Sequence, residues 1–228
     1  SLYGRNSLTE IISKTAKEIF IPLTVGGGIK TVGDISTILR SGADKVSINT
    51  EAINNPGLIS EASKIFGSST IVISIEAIKQ DNGEYFAFTD NGRNETGKSV
   101  IEWAKEVQDL GAGEILLTNV DNEGTGKGIN CELVEKIISL GKPTIVSTGG
   151  ASLPTIDAIV AKFDEASVPL AINHCVSLYP SEDSQLELNQ ISLLANRYPD
   201  NLIGFSSHEM TDWTNSMLIS YGLGARTW

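Results

Sequence analysis

Apolar runs rich in β-branched residues alternate with amphipathic stretches of helical period from one end of the chain to the other. The runs at 20–25, 45–48, 70–75, 114–118, 144–147, 170–173, 202–205 and 226–228 predict strands. Their cores are apolar without alternation, which suits strands covered on both faces of a parallel sheet. Between them, the stretches at 7–18, 32–40, 56–66, 99–110, 132–140, 153–163, 187–197 and 213–221 predict helices. In the fourth, Val100, Ile101, Ala104, Val107 and Leu110 form the sheet-facing stripe, with Glu102, Lys105, Glu106 and Asp109 on the wet side.

The pairs Gly42-Ala43, Gly111-Ala112 and Gly224-Ala225 each fall between a helix and the next strand, where a helix C-cap is wanted. Eight strand signals, each with its own helix and joined by short loops, predict an α/β fold of the (β/α)8 TIM-barrel type. One polar insertion at 80–93 breaks the rhythm, and Asn82-Gly83 within it predicts a hairpin. The chain opens at Ser1 without an initiator Met and stops at Trp228 inside a strand-like pattern, so it reads as part of something longer.

Charge narrows the function classes. A net charge of −11 argues against a nucleic-acid partner, because phosphate backbones demand clustered Lys and Arg. No apolar run is long enough to span a membrane, and no signal peptide is visible. Cys131 and Cys175 are too few for a disulfide framework, which fits a cytoplasmic protein with reduced thiols.

In a barrel, the residues just past each strand line one mouth. That rule collects Gly27-Gly28, Asn49-Thr50, Glu76, the 119–128 loop, Gly149-Gly150, His174 and His208. The two glycine turns, the Asn-Thr pair and Gly124-Thr125 offer backbone amides and hydroxyls suited to phosphate. Glu76 follows an apolar run, where an acid is costly unless it has work to do, and it is a candidate general acid or base. Asp121 and Glu123 offer the same chemistry in a more polar loop.

These residues carry a family resemblance. SLYGRN at 1–6, IPLTVGGGI at 21–29, GADKVSINT at 42–50, GAGEILLT at 111–118 and DNEGT at 121–125 resemble the cyclase subunit of imidazole glycerol phosphate synthase. The resemblance covers 1–145. It implies a barrel that receives ammonia from a glutaminase partner and delivers it to a bisphosphorylated ribulosyl substrate. There the imidazole ring closes and a carboxamide ribotide is released, with no cofactor. It also implies that Gly27, Gly28, Asn49 and Thr50 bind one phosphate and that Lys45 sits near the ammonia entrance. Glu76 stands where the family usually carries its second catalytic aspartate. The family's first-strand aspartate would lie ahead of Ser1. Some relatives from surface-polysaccharide clusters use the same barrel to amidate a sugar, a variant that the Glu fits.

The text then changes. LAINHCVSLYP at 170–180, LNQI at 188–191 and IGFSSH at 203–208 are similar to sialic acid synthase, so 146–228 reads as a second part and the barrel as incomplete or hybrid. PTIVSTGGAS at 143–152 fits the cyclase loosely. The synthase family condenses phosphoenolpyruvate with an N-acetylated amino sugar and uses a divalent metal, Mn or Mg. By that resemblance His174 and His208, the chain's two histidines, are the metal ligands. Three readings stay open: a cyclase-like phosphosugar enzyme, a metal-dependent sugar-acid synthase and an inactive barrel fragment.

Overall fold

The structure, a computed structural model, describes residues 5–18, 22–122, 125, 127–176, 178, 181–206 and 214–227. Two compact units divide at Val120 and Asp121. The contact division falls earlier than the 145/146 boundary expected from the motifs.

Unit 1 runs α1 (Arg5–Glu18), β1 (Thr24–Gly26), α2 (Val32–Arg40), β2 (Lys45–Ile48), α3 (Thr50–Asn54), α4 (Gly57–Phe66), β3 (Ile71–Lys79), β4 (Tyr85–Thr89), β5 (Asn94–Ser99), α5 (Val100–Asp109) and β6 (Glu114–Asn119). Strands β1, β2, β3 and β6 are parallel neighbours in that order. The insertion forms the expected hairpin and more, since β4 pairs antiparallel with the far half of β3 and β5 then pairs with β4. The first predicted strand begins later, at Thr24; residues 20 and 21 lie outside the described set.

Burial on β1, β2 and β3 from Ile73 onward has a period of two, broken only earlier in β3 by Val72 at 4% exposed, which corrects the two-sided burial expected from the unbroken apolar runs. Val46, Ile48, Ile71, Ile73, Ile75 and Ala77 are 0–2% exposed. They face the helices, and each buried Ile contributes about 1.5–3 kcal/mol. Lys45, Ser47, Ser74, Glu76, Glu114, Leu116 and Thr118 alternate with them and are partly or fully exposed. On α5 the stripe includes Trp103, 1% exposed, which the sequence pattern did not single out; Ile101 and Leu110 are only half-buried.

Unit 2 runs α6 (Cys131–Ile138), β7 (Thr144–Ser147), α7 (Leu153–Glu165), β8 (Leu170–Cys175), α8 (Asn189–Arg197), β9 (Leu202–Ser206) and α9 (Thr214–Gly222). Its three strands form one parallel sheet. Ile172, Ile203 and Phe205 pack against Ile156, Ile159 and Phe163 of α7 and Ile191 and Leu194 of α8. Asp157 of α7 takes a forked pair of bonds from Arg197, 2.7 and 2.6 Å, and a third from the Tyr198 hydroxyl at 2.8 Å. The eighth predicted strand is reduced to one bridge, Gly204 with Thr227, with Arg226 N–H donating to Ile203 and Phe205 N–H donating to Thr227 on either side; Trp228 lies outside the described residues.

The three Gly-Ala pairs do end helices. Gly42, Gly111 and Gly224 all have φ of 104–114°. The following Ala43, Ala112 and Ala225 amides donate back to Ile38, Val107 and Ser220 carbonyls. Left-handed backbone at that point is what turns each helix toward its next strand.

Candidate functional site

In unit 1 the register of the parallel strands brings three sequence-predicted groups to one edge. Gly26 pairs with Ser47, so Gly27-Gly28 and Asn49-Thr50 leave the sheet side by side. A side chain on Gly26 would sit 3.1 Å from Ser47 Cβ, which keeps β1 and β2 close there. Gly27 and Gly28, at φ 109 and 68°, have nothing within 4 Å of where a Cβ would stand, so the turn is open to an approaching group. Beyond it, buried Ile29 anchors the chain and Thr31 caps α2 in a capping box with Asp34. Asp34 accepts the Lys30 and Thr31 amides at 3.1 and 3.0 Å, so those two donors are spoken for.

Asn49 precedes α3 without capping it, and its side-chain Nδ2 reaches the Phe88 carbonyl at 3.4 Å. Thr50 is the first residue of α3.

Glu76 lies within β3 rather than past its end, since the strand continues to Lys79 to meet the hairpin. It stays on the same edge as the turns, because β2 ends opposite Ile73. Glu76 is half-buried, and its Oε2 accepts the Gly92 amide at 2.8 Å. Thr118 of β6 is in register with it and shares its face. At the opposite end of the strands, Lys45 forms an ion pair with Glu114.

Unit 2 gathers a second set. Thr125 donates its hydroxyl to the Asn122 carbonyl at 2.7 Å, and Asn122 Nδ2 donates to the Gly128 carbonyl at 3.0 Å. A Cβ on Gly128 would be 3.1 Å from Ala151 Cα and the Gly150 carbonyl oxygen, so this loop is pressed onto the Gly149-Gly150 turn. Ala151 closes that turn by donating to Thr148, 2.7 Å. Glu123 and Gly124 lie outside the described residues.

His174 sits on the helix-packed side of β8. It is 5% exposed, stacks on Phe205 at 5.9 Å and bonds the Leu186 carbonyl through Nε2 at 2.8 Å. A carbonyl only accepts, so Nε2 carries the proton. Burial pushes the imidazole below its ordinary pKa, against a smaller upward pull from the Leu186 bond. His208 lies outside the described residues. Among the described residues, no group of three His, Cys, Asp or Glu is placed to hold a metal ion. The described donors therefore do not assemble around a divalent cation.

Gly92 was invisible as a functional residue. The signal was an Asn91-Gly92 pair in a polar insertion, which marks a turn but not the side chain its amide will meet.

Comparison with known proteins agrees with the division of motifs. The "Histidine biosynthesis protein" family matches residues 1–169, and the NeuB family matches 124–227. The imidazole glycerol phosphate synthase subunit HisF of Legionella pneumophila is 52% identical over 150 residues, covering 66% of this chain and 71% of that protein. The subunit HisF of Campylobacter concisus is 49% identical over 150 residues, 66% of this chain but 59% of its own length. That of Prochlorococcus marinus strain MIT 9312 is 41% identical over 203 residues, 87% of this chain and 77% of the relative. The chain thus spans from 59 to 77% of the length of these relatives. On the family match and these identities, the chain belongs to the histidine biosynthesis protein family, a TIM-barrel family, and carries a NeuB-like segment at its C-terminal end.

Proposed function

We propose that the chain carries a cyclase-type phosphosugar site of the imidazole glycerol phosphate synthase kind. The observation that carries this reading is the single sheet edge shared by Gly27-Gly28, Asn49-Thr50 and Glu76. Open glycine amides and the Asn-Thr pair hold a substrate phosphate. The half-buried carboxylate then moves a proton as ammonia adds and the ring closes. In unit 2, Gly124, Thr125, Gly149 and Gly150 form a phosphate-binding set of their own. Ammonia from a glutaminase partner enters at the opposite strand end, beside Lys45 and Glu114.

Glu76 also supports a variant of the same chemistry, amidation of a sugar, since the longer acid moves the carboxylate outward by one methylene. Turnover of a phosphorylated ribotide with ammonium as nitrogen donor tests the cyclase reading. Its absence, with amidation of a sugar substrate present, selects the variant.

A second reading rests on the NeuB match over 124–227: condensation of phosphoenolpyruvate with an N-acetyl amino sugar at a site with His174 and His208. It is weaker, because His174 is committed to the core of unit 2.

A further inference from the structure

We infer that the β4–β5 turn is a positioning device for Glu76, with the Gly92 amide gripping one carboxylate oxygen so that the other is left to move the proton. This rests on the acid–base role proposed for Glu76.

The turn is built at a cost. Asp90, Asn91 and Gly92 are consecutively left-handed, at φ 54, 58 and 74°. Left-handed backbone strains a residue that carries a side chain, Asp and Asn less than most. Such strain persists only where surrounding bonds over-determine it. Here Arg93 N–H donates to the Thr89 carbonyl at 3.1 Å, Asn94 Nδ2 to Asp90 at 2.5 Å and the Thr96 hydroxyl to Ala87 at 2.6 Å. The outcome of this geometry is one amide aimed at a carboxylate 16 residues away in sequence.

Position 92 also has no room for another residue. A Cβ there would lie 2.9 Å from Val120 Cγ1 and 3.3 Å from Ile78 Cδ1, quite apart from the positive φ. The arm that carries the turn is fixed at the site from both sides: Phe88 pairs with Glu76 across the ladder, and its carbonyl receives Asn49 Nδ2. One strand therefore ties the acid to the phosphate turn.

A clamp has a physical purpose for this acid. Glu has one more rotatable bond than Asp, and a free Glu side chain gives up more rotamer entropy when it is held. A charge-assisted bond from a rigid amide meets that cost before substrate arrives.

The test uses the intact chain. Gly92 and Glu76 are read by the Gly92 amide proton resonance, which moves upfield in Glu76→Ala and less so in Glu76→Gln. An unmoved resonance in Glu76→Ala overturns the clamp. In turnover with ammonium, Gly92→Ala lowers kcat about a hundredfold, the scale of a misplacement near 1 Å, with KM within twofold. Gly92→Ala combined with Val120→Ala opens space for the new methyl and recovers at least tenfold of kcat. Unchanged kcat in the single variant, a loss carried by KM, or no recovery in the pair contradicts positioning. A parent chain without turnover overturns the cyclase reading instead, and the amide shift alone then decides the clamp.

Discussion

A carboxylate on the open face of a parallel strand needs a hydrogen-bond donor that fixes its orientation, and the Gly92 amide gives Glu76 such a donor. Glu76→Gln keeps the shape and the hydrogen bond but loses the titrating group. It should cut turnover by at least about a hundredfold, within the range that general acid–base catalysis supplies, while calorimetric affinity for the phosphorylated substrate changes less than twofold. A fall in affinity of the same size would make Glu76 a binding residue. Asp157 is the other strongly placed acid. Arg197, then the Tyr198 hydroxyl, holds its carboxyl down at about 2 against an ordinary 3.8. The stabilisation is therefore complete above 3.8 and lost as the pH falls toward 2. Asp157→Asn should lower Tm at neutral pH, and the gap between variant and parent should close as the pH falls through that window. Glu76 was legible as an acid beside an apolar run. Its partner was not, because which amide a carboxylate meets depends on how a distant turn folds back.

Elements were legible wherever local chemistry decides them. Helix α2 starts at Thr31 and stops before Gly42 for reasons written in a dozen residues: a capping box at one end and a left-handed glycine at the other. Thr31→Ala should cost about 1 kcal/mol in urea unfolding and leave phosphate affinity unchanged, since Thr31 stands beyond the open turn. What could not be read locally was the length of β3 and how little of the 226–228 segment pairs with β9. Strand β3 runs on to Lys79 because β4 supplies a neighbour where β2 has ended. At β9, Gly204 is pressed by Asn173 and Thr227, and a Cβ would overlap both side chains. Gly204→Ala should destabilise unit 2 by about 3 kcal/mol or more, the upper range for overpacking, without moving the tryptophan signal of Trp103 in unit 1. Equal loss in both units would show that the two cores unfold together.

At the scale of the whole chain, two family matches overlap between 124 and 169, and the Gly149-Gly150 turn lies within that overlap. The α/β class and barrel type were readable from the alternation of strands and helices, because each βα unit writes its own signature. The partition into two sheets was not, since register between strands far apart in sequence leaves no local trace. No helix among the described residues is long and apolar enough to cross a membrane. For the synthase reading, ligand linkage offers a direct check: an ion held by the folded chain raises Tm as its concentration rises. With His174 bonded to Leu186 and stacked on Phe205, Mn²⁺ should leave Tm unchanged; a saturable increase that disappears in His208→Ala would reinstate the metal site.

The most direct measurement is isothermal titration of a phosphorylated ribotide into the parent chain and into Asn49→Ala combined with Thr50→Ala. The account predicts saturable one-site binding that weakens at least tenfold in the double variant. Absence of heat at millimolar ligand, or equal affinity in the two proteins, would contradict it.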